Sequence, residues 1–273
     1  MKQTILAIDV GNTNIVLGLF SGDKLLFTDR LPTRHPWGNI DLARALETIL
    51  RRHSIDSHLL EGAVLSSVVS DLNPLIKQAV MDLSGRETYE VHPGSPCGID
   101  TSSYDTGALG MDRICDLAAA IKLYGKPVAV FDLGTATTLT LVDEKGVLAG
   151  GMISPGIGLS LEALSEHTAS LPRLDPKPVF DLLGHDTKSN MLSGTVAACG
   201  IRIEAVTDRL RERTGLSGLK TVITGGLGKL VLPWIRTDVI YDPDLLLKGL
   251  LILYQMKGEN SKLCCKARIS FSV

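Results

Sequence analysis

Two copies of one short pattern constrain the fold of this chain more than any other feature of its sequence. In the first copy, the apolar residues 5–8 lead into Asp9-Val10-Gly11-Asn12-Thr13-Asn14, and the apolar residues 15–20 follow. About 120 residues further on, the apolar residues 128–131 lead into Asp132-Leu133-Gly134-Thr135, and a further apolar run follows. A repeat at this distance indicates a duplicated domain rather than a short solenoid repeat.

Each copy predicts a two-stranded hairpin with a carboxylate at the mouth of its turn. The apolar runs lack polar alternation and are rich in β-branched and large aliphatic residues, as buried strands are. A turn of Gly, Asn and Thr exposes N–H groups and hydroxyls that suit phosphate oxygens, and an adjacent aspartate suits Mg²⁺ or a positioned water. Taken alone, the first copy could also be an ordinary hairpin turn. Two facing copies are what a nucleotide held between duplicated domains would need.

The composition argues against several classes of partner. The chain has 273 residues, of which 44% are apolar, with a mean hydropathy of +0.19, as expected for one large or two small α/β domains. A net charge of −2 and 4% aromatic residues offer little to nucleic acid or to an anionic membrane. No apolar run approaches the about 18 residues of a membrane span, and Asp9 interrupts the N-terminal run too early for a signal peptide. We expect no nucleic acid and no membrane among the partners.

The cysteine spacing favours reduced thiols over a metal site. The five residues are Cys97, Cys115, Cys199, Cys264 and Cys265, and no pair has the C-x-x-C spacing of a zinc site. We therefore expect mostly buried thiols in a cytoplasmic protein.

Hydrophobic periodicity predicts the order β-β-β-α-β-α in each half. After the first hairpin come a strand at 24–31, a helix at 41–52, a strand at 63–68, a helix at 71–83, and then a long loop at 89–109 that is a candidate for function. After a helix at 109–124 come strands at 128–133, 137–143 and 147–153, helices at 159–166 and 189–213, a strand at 221–224 and a helix at 245–256. We expect domains at 1–113 and 114–258, with a poorly ordered tail at 259–273.

Five motifs in a fixed order extend this pattern. They are residues 9–14, Leu109-Gly110-Met111-Asp112-Arg113, residues 132–138, residues 151–156 and Ile223-Thr224-Gly225-Gly226-Leu227. The duplicated halves resemble the superfamily of actin, sugar kinases and heat-shock ATPases, and the motifs, with residues 244–250, closely resemble type III pantothenate kinases over residues 4–256. The resemblance implies an α/β, actin/hexokinase-like (ribonuclease H-like) fold with the nucleotide between its domains. It also implies a homodimer that phosphorylates pantothenate to 4'-phosphopantothenate with ATP, the first step of coenzyme A synthesis.

The resemblance, together with the chemistry of phosphoryl transfer, assigns the nucleotide site. The ATP phosphates would lie on the first hairpin, formed by Asp9, Val10, Gly11, Asn12, Thr13, Asn14, Ile15 and Val16, with Thr135 on their other side. Gly225 and Gly226 would lie against the adenosine, where the lack of side chains permits close approach. Asp9 would hold Mg²⁺ directly or through water. Asp132 is implied to bind a monovalent cation, K⁺ or NH₄⁺.

The implied acceptor site consists of Tyr104, Gly110, Met111, Asp112, Arg113 and Thr187. Arg113 can bind the pantothenate carboxylate through two hydrogen bonds, and Asp112 matches the family's catalytic aspartate, which accepts the proton of the primary hydroxyl. From the residues alone, Asp112 could equally be a helix N-cap or the partner of Arg113. Tyr104 could be a plain loop aromatic, and Thr187 an ordinary helix cap.

The sequence departs from the family pattern at four positions. Gly107 stands where the family often has proline, Met111 where alanine is common, Asp116 where asparagine is usual and Thr140 where aspartate is common. These departures keep open a non-catalytic relative of the accessory-factor type. A third interpretation is a kinase of the wider superfamily for another small hydroxylated acceptor. For the homodimer implied by the resemblance, residues 159–171 are the segment where we expect the contact.

Overall fold

The computed structural model describes residues 3–105, 109–216 and 218–267, with side chains as far as residue 257. It contains two mixed five-stranded sheets and divides into two compact units. The first unit takes in Met1–Gly98, Thr106–Ala119 and Leu246–Val273, and the second takes in Ile99–Asp105 and Ala120–Leu245. The domain boundaries expected at 113/114 and at 258 stay a prediction.

The first unit is built on an antiparallel meander that is extended by parallel strands. Its elements are β1 (Thr4–Val10), β2 (Asn14–Ser21), β3 (Lys24–Pro32), α1 (Asn39–Arg52), β4 (Gly62–Ser67), α2 (Asn73–Ser84) and β5 (Thr88–Glu90), with 3₁₀ turns at Ser57–Leu59 and Ser70–Leu72. The sheet order is β3-β2-β1-β4-β5, and β4 runs parallel to both β1 and β5.

The second unit repeats this topology. Its strands are β6 (Val128–Leu133), β7 (Ala136–Val142), β8 (Leu148–Pro155), β9 (Lys220–Thr224) and β10 (Ile240–Tyr241), in the order β10-β9-β6-β7-β8. Its helices are α4 (Ile157–Glu166), α5 (Thr187–Leu192), a π-helical turn at Ser193–Ala197, α6 (Ala198–Thr214) and α7 (Gly228–Val231), with a 3₁₀ turn at Leu232–Trp234. β6, β7 and β8 are antiparallel, and β9 is parallel to β6 and β10. The duplication predicted from the sequence is therefore present in the fold.

Each unit has its own apolar core between sheet and helices. In the first unit, the buried face of α1 consists of Leu42, Leu46, Ile49 and Leu50, whose spacing places them on one side of a helix. They pack with the central strands β1, β2 and β4, whose apolar runs are buried almost continuously. The second core joins β6, β7 and β9 to α4 and α6 in the same manner.

Two further helices complete the chain, α3 (Met111–Tyr124) and α8 (Leu245–Ala267). α8 packs against β2, where Leu247 fills the space beside Gly18. It also meets α3 without an intervening side chain, because a Cβ on Gly249 would overlap the carbonyl group of Cys115 and come within 2.9 Å of its Cα. The start of α3 is thereby held at backbone distance from α8 within the first unit.

Some local features differ from the sequence-based expectation. α8 extends to Ala267 rather than ending at residue 256, so residues 259–267, expected in a poorly ordered tail, are helical. A helix extends cheaply from an anchored segment even where apolar periodicity has ended. Residues 268–273 lie outside the described residues. Within the part of the chain that the structure covers, no helix is both long enough and apolar enough to span a membrane.

The contact between α3 and α8 predicts a specific effect on stability. Gly249→Ala should lower the free energy of unfolding by about 1–3 kcal/mol, because its methyl group meets backbone atoms that cannot rotate aside. Urea unfolding followed by circular dichroism measures the change. Gly194→Ala is the control, since an added methyl group there meets nothing within 4 Å. Equal stabilities of the two variants would show that the helices are not in close contact.

Candidate active site

The first acidic hairpin is the turn between β1 and β2. Asp9 lies opposite Val16, and the Gly11 N–H donates to the Asn14 carbonyl at 3.0 Å, which closes the turn. Asn12 and Thr13 are exposed and Asp9 is half-buried. All eight residues assigned to the phosphates from the sequence, 9–16, therefore lie in this hairpin.

Thr33 supports this turn and was missed by the sequence analysis. It directly follows β3, and its side chain is buried, with 7% of the residue exposed. Its N–H donates to the Thr13 carbonyl at 3.0 Å, and its hydroxyl donates to the Gly11 carbonyl at 2.7 Å. The sequence places Thr33 directly after the proline that ends a strand. That position indicates a role in the turn only when it is compared with the equivalent position in the second half of the chain.

The second acidic hairpin is the shorter turn between β6 and β7. Asp132 lies opposite Thr138, and the Gly134 N–H donates to the Ala136 carbonyl at 3.0 Å. Thr135 is exposed at the tip of the turn and Asp132 is half-buried. The structure thus places the predicted cation ligand and the predicted phosphate contact in one hairpin.

Gly225 lies directly against this second hairpin. Its φ of +89° is in the region that favours glycine, and a Cβ there would overlap the Asp132 carboxylate and come within 2.6 Å of the Leu133 nitrogen. The chain continues alongside, because the Leu227 N–H donates to the Leu133 carbonyl at 3.3 Å. The glycine turn assigned to the adenosine therefore packs on the hairpin that contains Asp132.

Asp112 occupies the first turn of α3. The helix begins at Met111, so Asp112 lies inside its first turn rather than at the cap, and its Oδ1 accepts from the Arg113 N–H at 2.8 Å. A carboxylate here is stabilised by the positive end of the helix dipole. The Asp112 carboxylate lies directly against Gly110, since a Cβ on Gly110 would overlap the Asp112 Oδ1. Arg113 is buried, with 7% of the residue exposed.

The buried thiol of Cys115 lies within the electrostatic influence of Asp112 and of Asp9 in the first hairpin. Complete burial raises the pKa of Cys115 well above its ordinary value, and the negative charges of Asp9, Asp116 and Asp112 raise it further. The thiol is therefore neutral at physiological pH. Because these charges act on one buried group, the structure brings the carboxylate of the first hairpin and that of α3 into one electrostatic environment.

The other two acceptor residues lie in the second unit. Tyr104 is half-buried in a turn, where its N–H donates to the Thr101 carbonyl at 3.0 Å. Thr187 is the exposed first residue of α5, and the cap is Asp186, whose carboxylate accepts from the N–H groups of Lys188 and Ser189. The alternative of Thr187 as the helix cap is therefore wrong. Gly107 lies outside the described residues.

Metal binding here would depend on single carboxylates. Among the residues that the structure describes, no group of three or more His, Cys, Asp or Glu side chains could hold a metal ion. Asp9 and Asp132 each stand beside a backbone turn, so the remaining oxygen ligands would come from the turn, the nucleotide or water.

Comparison with known proteins identifies the family. The family model described as type III pantothenate kinase matches residues 5–209. The chain belongs to the type III pantothenate kinase family. A curated type III pantothenate kinase of Agathobacter rectalis is 37% identical over 256 residues, which cover 94% of this chain and 98% of that protein. The predicted family and the predicted enzyme class, a pantothenate kinase, are thereby confirmed.

Solved structures share the fold at lower identity. A Baf family transcriptional activator from Campylobacter jejuni superposes with a TM-score of 0.57 at 19% identity, covering 93% of this chain and 99% of that one. The activator of 2-hydroxyisocaproyl-CoA dehydratase from Clostridium difficile, with bound ADPNP, superposes with a TM-score of 0.52 at 13% identity, covering 99% and 100%. The two-unit fold class predicted from the duplicated hairpins is confirmed.

Proposed function

We propose that the protein transfers the γ-phosphoryl group of ATP to the primary hydroxyl of pantothenate with Asp112 as general base. The product is 4'-phosphopantothenate, for coenzyme A synthesis. The observation that carries this assignment is the carboxylate of Asp112 in the first turn of α3, in a chain whose residues 5–209 match the type III pantothenate kinase family. A carboxylate near the phosphate site can accept the hydroxyl proton as the hydroxyl oxygen attacks.

The first hairpin binds the phosphates in this proposal. Its N–H groups and the exposed Thr13 hydroxyl supply donors to phosphate oxygens, and Thr135 supplies a further hydroxyl. The half-buried Asp9 carboxylate suits Mg²⁺, a hard cation that binds few protein oxygens beside those of the phosphates. When bound, Mg²⁺ neutralises part of the phosphate charge.

The acceptor is held by a guanidinium group and hydroxyls. Arg113 is buried, and the planar fork of its guanidinium group can bind a carboxylate through two parallel hydrogen bonds. Tyr104 and Thr187 supply hydroxyls for the polar groups of pantothenate. Because Gly110 has no side chain, the Asp112 carboxylate can lie against the backbone at the start of α3.

Asp132 holds a monovalent cation, K⁺ or NH₄⁺, in this proposal. Because Gly225 has no side chain, its backbone lies directly beside the Asp132 carboxylate. Carboxylate and carbonyl oxygens are the ligands that hard cations prefer. The cation would supply positive charge beside the second hairpin.

The protein forms a homodimer in the cytoplasm in this proposal. Leu159 of α4 is 42% exposed, and Met152 and Ile153 of the edge strand β8 are 52% and 69% exposed. Large apolar side chains exposed close together in the chain are typical of an interaction surface. They support a contact around residues 159–171.

Replacing the proposed base tests the mechanism. Asp112→Asn should lower kcat by about 10²–10⁴-fold, because the amide cannot accept the hydroxyl proton, while pantothenate binding is nearly unchanged. A coupled assay of ADP release measures turnover, and isothermal titration measures binding. Asp41→Asn, in the first turn of α1, is the matched control and should leave both values unchanged.

The same assay separates the alternatives. Unchanged turnover in Asp112→Asn would remove the base assignment. A non-catalytic relative would release no ADP with any acceptor, and a kinase for another acceptor would turn over a different compound from a panel.

The proposed cation site at Asp132 predicts that the enzymatic activity depends on which monovalent cation is present. Replacing K⁺ with Na⁺ should depress the activity of the unmodified protein, because the smaller ion fits a site formed for K⁺ less well. Asp132→Asn should reduce the difference between the two ions. Equal rates in K⁺ and Na⁺ for the unmodified protein would rule out this role for Asp132.

A further inference from the structure

Both acidic hairpins are supported by the residue that follows the third strand of their unit. β3 and β8 each end at a proline, and the next residues are Thr33 and Gly156. The Thr33 N–H donates to the Thr13 carbonyl, and the Gly156 N–H donates to the Thr135 carbonyl, both at 3.0 Å. The duplicated halves thus share one backbone support for the turn.

The two turns differ in length, and their supporting residues differ accordingly. Residues 11–14 separate the last strand pair of the first hairpin, whereas only residues 134–136 separate that of the second. The longer turn presents the Gly11 carbonyl to the Thr33 hydroxyl at 2.7 Å. In the shorter turn, a Cβ on Gly156 would overlap the Gly134 carbonyl, so a side chain has no room. A hydroxyl support is therefore specific to the first hairpin.

This support determines the direction of N–H groups in the first turn. In a trans peptide, the carbonyl and the following N–H point in opposite directions. With the Gly11 and Thr13 carbonyls directed at Thr33, the N–H groups of Asn12 and Asn14 point away from it. If the Gly11 carbonyl were released, the peptide could rotate, and the negative end of its dipole would then face a bound anion.

We propose that Thr33 is a positioning residue for ATP binding, because its hydroxyl holds the Gly11 carbonyl and so keeps the Asn12 N–H directed at the phosphates. The inference rests on the proposed function, since it takes the first hairpin as the phosphate site. In the second hairpin the equivalent supporting residue is Gly156, which has no hydroxyl to donate such a bond.

The test removes the hydroxyl and keeps the shape of the side chain. Thr33→Val retains the volume, the β-branch and the N–H bond to Thr13. It should raise the KM for ATP about tenfold, equivalent to about 1.4 kcal/mol, with the KM for pantothenate nearly unchanged. Thr33→Ser, which restores the hydroxyl, should recover most of the ATP affinity. Thr28→Val, at an exposed position of β3, is the matched control and should behave like the unmodified protein.

A purely structural role gives a different result. It would change both KM values together and lower the melting temperature in proportion. An unchanged KM for ATP in Thr33→Val, or an equal rise of both KM values, would overturn the inference. Thr33→Ala removes the hydroxyl without adding a methyl group and provides the same comparison if the valine variant does not fold.

A second variant separates this inference from the proposed function. If Asp9→Asn weakens ATP binding but Thr33→Val does not, the role of Thr33 is wrong and the phosphate site stands. If neither variant affects ATP binding, the assignment of the first hairpin to the phosphates is wrong as well.

Discussion

The backbone hydrogen bond from the residue after the third strand to the hairpin turn is the constraint on which the proposed chemistry depends. In each half, a backbone N–H donates to a carbonyl of the turn: that of Thr33 in the first half and that of Gly156 in the second. A turn whose carbonyls are engaged within the protein leaves N–H groups for a ligand. The one-residue difference in turn length gives the halves different environments. The first has a hydroxyl support, whereas the second is packed closely against Gly156 and Gly225.

The duplicated fold could be predicted because its signals are local. Apolar runs on either side of an Asp-x-Gly turn indicate paired strands wherever they occur, and the leucine spacing of α1 indicates one buried helix face. The short edge strands β5 and β10 could not be predicted, because two or three residues are too few to show the alternation of apolar and polar residues that is typical of a strand. The close contact of α3 with α8 depends on Gly249 meeting a backbone 134 residues earlier in the chain, which no local pattern reports.

The candidate site was predictable to a similar extent. Residue type and motif order selected Asp9, Asp132 and Asp112, and the structure places each beside a turn or a helix start. The sequence did not indicate that Asp9 and Asp112 act on one buried thiol, because Cys115 becomes informative only through its neighbours in space. Thr33 was missed for the same reason, since a threonine after a proline has many ordinary uses. Residue roles therefore stay proposals, while family and fold are established.

A crystal structure with a non-hydrolysable ATP analogue, Mg²⁺, K⁺ and pantothenate tests the central claim most directly. The claim is that the first hairpin holds the phosphates while Asp112 faces the acceptor. We expect phosphate oxygens about 3 Å from N–H groups of residues 12–14, and the acceptor hydroxyl about 3 Å from the Asp112 carboxylate. Phosphates bound away from the first turn, or an acceptor hydroxyl that faces another residue, would contradict it.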